Sequence, residues 1–313
     1  MAPQVAICII TCKRPEGLAR LLDALGRLTF CEDRPEPLGI IVVDNDSSAS
    51  SKSVCETQTT TLPWPLDYVT EPKRGIPFAR NTAFAVAVND KNDLVAFIDD
   101  DEIPEPNWLD ELLRVQRIYD ADVVAGPVLS DLGPSPPAWA VEGGFYERRR
   151  FATGSPIENA FTGNVLFRTR TVTAALGSRP FNEEMALTGG TDAYLSKELL
   201  LRGAKMIWAD TAIVTETVPP SRMSAHWLLR RAFRAGVSRA LTTRQLSPTR
   251  LDRLRCAMLG PLHIGRGIAR LPLSVIRGKH RSLAAARDAA FGAGLVAGSL
   301  GYHYDEYTTV HGS

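Results

Sequence analysis

The stretch DLVAFIDDDEIPEPNWLDELL, residues 93–113, runs through five apolar positions (Leu94, Val95, Ala96, Phe97, Ile98) and stops at four carboxylates, Asp99, Asp100, Asp101 and Glu102. A short apolar run closed by polar residues reads as a buried strand, and PNWLDELLRVQRIY behind it carries a helical pattern. Like charges packed at the end of a strand repel. At about 4 Å and an effective dielectric near 20, each pair costs on the order of 4 kcal/mol. A hard divalent cation, Mn²⁺ or Mg²⁺, relieves that repulsion, held by one or two carboxylates together with substrate phosphates. The plainer alternative is that the acids cap the next helix and meet its dipole. One or two acids would do for that; four in a row fit it poorly.

Working outward, strands and helices alternate. VAICIIT (5–11) reads as a buried strand and PEGLARLLDAL (15–25) as an amphipathic helix opened by Pro15. GIIVVDN (39–45) is a second strand, followed by a segment capped by Asp46, Ser47 or Ser48. LDYVTE (66–71) is a third strand, IPFARNTAFAVAVN (76–89) a helix, and DVVAGPVL (122–129) a fifth strand after that of residues 94–98. Such alternation predicts an α/β fold with a parallel sheet and right-handed crossovers. The Pro- and Gly-rich segment 130–160 reads as a mobile loop beside the site. FTGNVLFR (161–168), KMIWA and AIVTET (205–216) read as further strands, and GGTDAYLSKELLLRGA (189–204) as a helix. From about residue 222 onward the pattern is wholly helical.

The composition is that of a globular protein, with 44% hydrophobic and 23% charged residues in 313. That length accommodates one large domain or one domain with an appendage. Five cysteines (Cys8, Cys12, Cys31, Cys55, Cys256) form no CxxC pair, which predicts neither disulfides nor structural zinc and points to a reducing, cytoplasmic setting. No signal peptide and no spanning helix are expected from the sequence given. The net charge of +1 hides a division. Residues 1–221 hold 21 Lys/Arg against 31 Asp/Glu, a balance of −10, whereas residues 222–313 hold 15 against 4, a balance of +11. A basic C-terminal part suggests an anionic partner, such as phospholipid head groups, a lipid diphosphate or nucleic acid, or else a solvated helical face.

Three strands end in polar residues, at Thr11, at Asp44 and at Asp99–Asp101. In open α/β sheets the crevice beyond the carboxyl ends of the strands binds ligands. The ordered set of strand, helix, VVDN, helix, (K/R)-x-G-x-x-x-A-R-N, helix and FIDDDE resembles family 2 glycosyltransferases of the GT-A fold, over roughly residues 4–235. The resemblance implies a Rossmann-like, mixed (mostly parallel) sheet flanked by helices, with a nucleotide-sugar-binding catalytic domain at 1–221 and a basic helical region at 222–313. It also implies that Asp99-Asp100-Asp101 is the DxD motif. Asp101 would then be a metal ligand, Asp99 would lie near the ribose and the metal shell, and Asp44 would hydrogen-bond the base, usually uracil. Thr11, Arg14, Arg74, Gly75, Ala79, Arg80 and Asn81 would line the nucleotide pocket.

The same resemblance places the catalytic base in an (E/D)D motif heading a helix, here Asp192. Thr191 stands where the family most often has Glu, and Glu183 or Glu184 are the acids nearest to replace it. VPPSRMSAHWLLRRAFRAG (218–236) resembles the family's basic segment bordering diphosphate and acceptor, so Arg230 and Arg231 are candidate diphosphate contacts and His226 a candidate metal ligand. Donor selectivity is expected from Gly126 to Pro127, from 161–164 and from 185–192. With neither transmembrane helices nor a QxxRW motif a single addition is expected, and the resemblance implies inverting, metal-dependent transfer of that sugar. The donor would be a nucleotide-sugar, UDP-linked, and the acceptor a glycan or polyprenyl-diphosphate-linked oligosaccharide in cell-surface polysaccharide synthesis.

Arg250, Arg253, Arg255, Arg266, Arg270, Arg277, Lys279, Arg281 and Arg287 alternate with apolar residues, a composition suited to peripheral contact with the cytoplasmic face of an anionic inner membrane. No nucleic-acid partner is expected. The rival readings are weaker. A sugar-phosphate nucleotidyltransferase needs a Gly-rich loop after the first strand, and TCKRPEG offers only Lys13, Arg14 and Gly17. An Asp-nucleophile phosphatase needs DxDx(T/V) there, which ITCKRP lacks. A non-catalytic glycan- or anion-binding protein has no use for Asp44, Asp101 and Asp192 together.

Overall fold

In the computed structural model, residues 2–31, 34–186, 189–247 and 249–302 are described. Leu187 and Thr188, within the stretch expected to shape donor selectivity, and residues 303–313 of the C-terminal region lie outside the described residues. The chain runs β1 (Val5–Thr11), α1 (Pro15–Leu25), β2 (Leu38–Asp44), α2 (Lys52–Gln58), β3 (Leu66–Thr70), α3 (Ile76–Asn89) and β4 (Leu94–Asp99). It continues through β5 (Glu102–Pro104), α4 (Trp108–Tyr119), β6 (Val123–Ala125), β7 (Val128–Asp131), α5 (Ala138–Glu142) and β8 (Asn164–Arg168). α6 (Thr169–Leu176), α7 (Thr191–Leu201), β9 (Met206–Trp208) and β10 (Val214–Thr217) complete the α/β part. Three long helices follow: α8 (Ala225–Leu246), α9 (Arg250–Ile276) and α10 (Lys279–Ser299).

A seven-stranded sheet has the order β3-β2-β1-β4-β8-β6-β9, and β5-β10-β7 form a small second sheet. Burial on both faces explains the apolar runs. Along β1, Val5, Ile7 and Ile9 face one way, against Leu18, Leu21, Leu22 and Leu25 of α1. Ala6 and Cys8 face the other, against Ala79, Ala83 and Phe84 of α3. The α1 leucines recur at i, i+3, i+4 and i+7, one helical stripe, and each fully buried leucine contributes about 1.5–3 kcal/mol.

The mixed, mostly parallel sheet is the one the family resemblance implies, and two features differ from the strand-by-strand reading. β8 runs antiparallel between β4 and β6, pairing Ile98 with Asn164. The sheet is therefore mixed, and the start of β8 arrives at the same edge as the carboxyl ends of β1 and β4. The fifth strand is also not one strand but two, broken at Gly126–Pro127. A Cβ on Gly126 would overlap the Ala212 carbonyl oxygen and the Asn164 amide, and Pro127 has no N–H to extend a ladder. Beyond the break, Val128–Asp131 pairs with β10 in the second sheet. The segment 130–160, read as a loop, contains α5, and its Ala140, Phe145 and Tyr146 share a small core with Val218, Leu228 and Leu283.

α10 packs against both α8 and α9. Its small residues allow the contact: a Cβ on Gly294 would meet the Phe233 carbonyl of α8, and one on Gly292 would come 2.6 Å from the Gly260 carbonyl of α9. None of the described helices is long and apolar enough to cross a membrane.

Asn164 ties the sheet to its surroundings. Buried at 1% exposure, it accepts from Trp108 Nε1 at 2.8 Å and donates to the carbonyls of Pro127 (2.9 Å) and Ala212 (2.7 Å). Asn164→Ala strands three buried polar groups and is expected to destabilise the protein by about 3 kcal/mol, read as a lower urea midpoint at constant m-value.

Candidate active site

The strand register brings the acidic motif to the first strand's end. Ile10 of β1 pairs with Asp99 of β4, and Thr11 with Asp44 of β2. Thr11 donates its hydroxyl to Asp100 Oδ2 at 2.8 Å, and Arg14, just before α1, reaches Asp100 Oδ1 at 3.0 Å and Asp101 Oδ2 at 2.9 Å. Burial opposes charge on this arginine, but Asp100 and Asp101 outweigh it and hold its pKa above the usual value.

The four acids differ in environment. Burial, against the pull of Arg14, pushes Asp100 up to about 6. Glu102 is 2% exposed, and burial with Asp99 nearby raises its pKa well above the ordinary range. It faces inward and accepts the Asp99 backbone N–H at 3.1 Å. Asp99 opens to the crevice, yet the protein around it, and then Asp101 and Asp192, raise its pKa against the opposing pull of Arg80. Asp101 is also partly open.

Asp192 stands in the first turn of α7, which the chain enters through two left-handed glycines, Gly189 (φ 68°) and Gly190 (φ 86°). A Cβ at Gly190 would come 2.8 Å from the Ser238 Cβ of α8, so this turn demands glycine for both its conformation and its packing. Arg80, buried on α3, spans two carboxylates with one guanidinium: Nη1 donates to Asp192 Oδ1 at 2.7 Å and Nη2 to Asp99 Oδ1 at 3.3 Å. Thr162, at the start of β8, donates to the same Asp192 oxygen at 2.9 Å, and Thr191 lies 3.4 Å from it. The DxD acid and the α7 acid are thereby held one guanidinium apart.

Several other expected residues make structural contacts. Asp44 is fully buried; its Oδ1 accepts from Asp46 N–H, and its Oδ2 from Ser51 N–H and the Tyr68 hydroxyl. It builds the loop after β2 rather than facing an open crevice. Asn81, also fully buried, exchanges hydrogen bonds with the Phe181 backbone and so pins the approach to α7. Gly75 donates its N–H to Asn45 at 2.7 Å, and Ala79 lies in the core against β1. Arg74 is exposed at the rim of this loop. Glu183 is taken up by Arg179 at 2.7 Å and Asn81 at 3.1 Å, and Glu184 is exposed; Thr162 and Arg80 are what surround Asp192.

The sequence reading missed a second charged chain. Arg222, ahead of α8, lies 3.8 Å from Asp101 and 3.0 Å from Glu216, which pairs with Arg148 at 2.7 Å. The RRR run at 148–150 was its only signal. Arg231 stacks 5.1 Å from the Trp227 ring centroid, and burial, then Arg148, pushes its pKa down to about 10. Arg230 is exposed.

Whether a metal fits can be judged from the donors. Asp99 and Asp101 are hard oxygen donors, each partly open to the crevice. Among the described residues, no group of three or more His, Cys, Asp or Glu side chains is arranged to hold a metal ion. The expected ligand His226 is exposed in the first turn of α8 and joins no such group. These donors fit Mn²⁺ or Mg²⁺ shared between one or two carboxylates and diphosphate oxygens, not a cage made by protein alone.

Comparison with known proteins identifies the family. Residues 6–175 match the family described as Glycosyl transferase family 2. The chain is 33% identical over 232 residues to the succinoglycan biosynthesis protein ExoM of Rhizobium meliloti (strain 1021), covering 74% of this chain and 72% of that one. Two solved structures share the fold. One is the Pyrobaculum calidifontis mannosyltransferase PcManGT in complex with GDP-Man and Mn²⁺ (TM-score 0.62, 19% identity, 96% and 87% coverage). The other is S. aureus TarS 1–349 in complex with UDP (TM-score 0.53, 16% identity, 99% and 95% coverage). With its mixed GT-A sheet and the matched family motifs lying across the strand ends, the chain belongs to glycosyl transferase family 2 and is a glycosyltransferase.

Proposed function

We propose that the protein transfers one sugar from a nucleotide-sugar, UDP-linked, to a hydroxyl of a lipid-linked glycan in exopolysaccharide synthesis, with inversion at the anomeric carbon. The observation that carries this reading is the single Arg80 guanidinium shared by Asp99 and Asp192. A donor whose diphosphate lies against Asp99 and Asp101 then has its anomeric carbon between that pair and Asp192. Asp192 accepts the proton of the acceptor hydroxyl, whose oxygen attacks the anomeric carbon from the face opposite the diphosphate. The carbon–phosphate-oxygen bond breaks, and its electron pair leaves with the nucleoside diphosphate. Asp101, with Asp99, would hold Mn²⁺ or Mg²⁺, which supplies positive charge to the leaving oxygen. Arg14 and Arg222, both beside Asp101, add fixed positive charge at the same place.

The partners follow from relatives and charge. ExoM's name concerns succinoglycan, an exopolysaccharide, and supports an acceptor of that class. Neighbouring structures hold UDP, UDP-GlcNAc and GDP-Man, which supports a nucleotide-sugar donor. The basic C-terminal helices support peripheral attachment at an anionic membrane.

Slow donor hydrolysis and transfer to a glycan acceptor, each with and without Mn²⁺, test the reading. Asp192→Asn is expected to retain UDP-sugar binding while lowering kcat by ~10²–10⁴, the range of a lost general base. Turnover near wild type would move the base elsewhere. Arg80→Lys keeps one charge but cannot span two carboxylates, so kcat should fall by about 10²-fold with little change in the KM for donor. A rise in KM alone would make Arg80 a donor contact.

A further inference from the structure

The three C-terminal helices border an open cavity of about 930 Å³ that the transfer chemistry does not use. Six arginines line it: Arg231, Arg266, Arg270, Arg277, Arg281 and Arg287. The one lining carboxylate, Asp288, is already engaged, by Arg266 Nε at 2.7 Å and His263 Nδ1 at 2.6 Å, with Arg270 at 4.0 Å. Among the described residues, Arg277, Arg281 and Arg287 have no carboxylate partner. Five of the six are exposed and solvated, but gathered around one space they attract an anion, and phosphate oxygens match their planar donor forks. The local charge thus calls for a phosphate-bearing ligand.

The remaining wall is apolar, with Leu228, Leu273 and Phe291 among the alanines. Leu273 also continues onto the outer face of α9. There Leu251, Leu254, Met258 and Leu262 recur at helical spacing and, with Leu273, are 54–64% exposed. A contiguous apolar stripe left open on a surface marks a contact site, and an apolar stripe flanked by arginines on a helix is the pattern of interfacial binding. Cavity and stripe meet at Leu273, so a charged head and an apolar chain are provided for side by side.

The cavity also adjoins the active site. Arg231, on its wall, lies in the electrostatic field of Arg148, Glu216 and Arg222, the chain that reaches Asp101. Two turns further along α8, Ser238 packs against Gly190 at the head of the Asp192 helix.

We propose that the space between α8, α9 and α10 is a receptor for the phosphate or diphosphate head of a lipid whose chain lies along the apolar face of α9. A glycan attached to that head would be presented towards Asp192. The last step rests on the transferase reading above; the lipid site does not.

The test is vesicle flotation of the full chain. Phosphatidylcholine vesicles doped with a polyprenyl diphosphate are compared with vesicles of equal surface charge made with phosphatidylglycerol. The wild type is expected to bind the diphosphate vesicles at least about 10-fold more tightly than a charge-matched surface. Arg277→Gln/Arg281→Gln removes two of the guanidinium groups that face the head, and should weaken that binding by about 30-fold with an unchanged melting temperature. Arg250→Gln/Arg253→Gln, on α9 outside the cavity, should keep the preference. Equal affinity for both vesicles would reduce the region to a general basic surface and overturn the proposal. Preference surviving in the cavity variant would overturn it as well. If inorganic diphosphate binds as tightly as the lipid, the site takes a soluble phosphate compound and the lipid assignment fails. A UDP-sugar melting shift is measured in parallel: lipid binding without any nucleotide-sugar response would contradict the transferase reading and leave this site standing.

Discussion

The structure turns on one constraint: several carboxylates meet, partly buried, at the carboxyl edge of the central sheet, where they need cationic partners. Asp99, Asp100, Asp101 and Glu102 leave β4 together, and Asp192 is brought to them from α7. Two buried or half-buried arginines make the arrangement tolerable. Arg14 pairs with Asp100 and Asp101, and Arg80 spans Asp99 and Asp192. Removing either cation would take a charged partner from two carboxylates at once, leaving them only the weaker contacts of Thr11, Thr162 and Arg222, which costs more than losing a surface pair. Even with both in place, burial keeps Asp99 and Asp100 above the ordinary carboxylate range. Asp99 and Asp101 still open to the crevice, where hard oxygen donors suit a ligand that arrives with its own cation.

The rest of the fold serves to hold that edge. Antiparallel β8 delivers Thr162 to Asp192 and Asn164 to the joint between the two sheets. Asp44 and Asn81 spend their hydrogen-bonding capacity on loops that frame the crevice. The C-terminal helices are bound to the catalytic part on two sides, through Ser238 against Gly190 and through the core shared by Leu228 and Leu283 with Phe145 and Tyr146. Asp101 and the α9 surface are therefore parts of one continuous body.

Much of this was legible in the sequence because its signals were local. Burial on both faces wrote the apolar runs of β1, β2 and β4, and the acids after Ile98 marked where β4 reaches the surface. The opening of α7 at Gly189–Gly190 is equally local, since left-handed backbone leaves little choice of residue. What could not be read depended on partners distant in the chain. Arg80 meets an acid 112 positions away, and nothing in ARN distinguishes a pocket-lining residue from a bridge. Motif position likewise could not tell Asp44 in a buried loop from Asp44 at a ligand. The direction of β8 was hidden because an apolar strand of five residues reads the same in either sense. Arg222 and Glu216 carried no pattern at all, and only tertiary packing brings them to Asp101.

The central claim is that Asp101 and its neighbours grip a divalent ion together with a nucleoside diphosphate, neither alone sufficing. Mn²⁺ retained by the protein on ultrafiltration, counted by electron paramagnetic resonance with and without UDP, tests it most directly. The account predicts about one ion held per chain when UDP is present, little without it, and none in Asp101→Asn under either condition. Retention by Asp101→Asn equal to wild type, or no retention by the wild type with UDP and GDP alike, would contradict it.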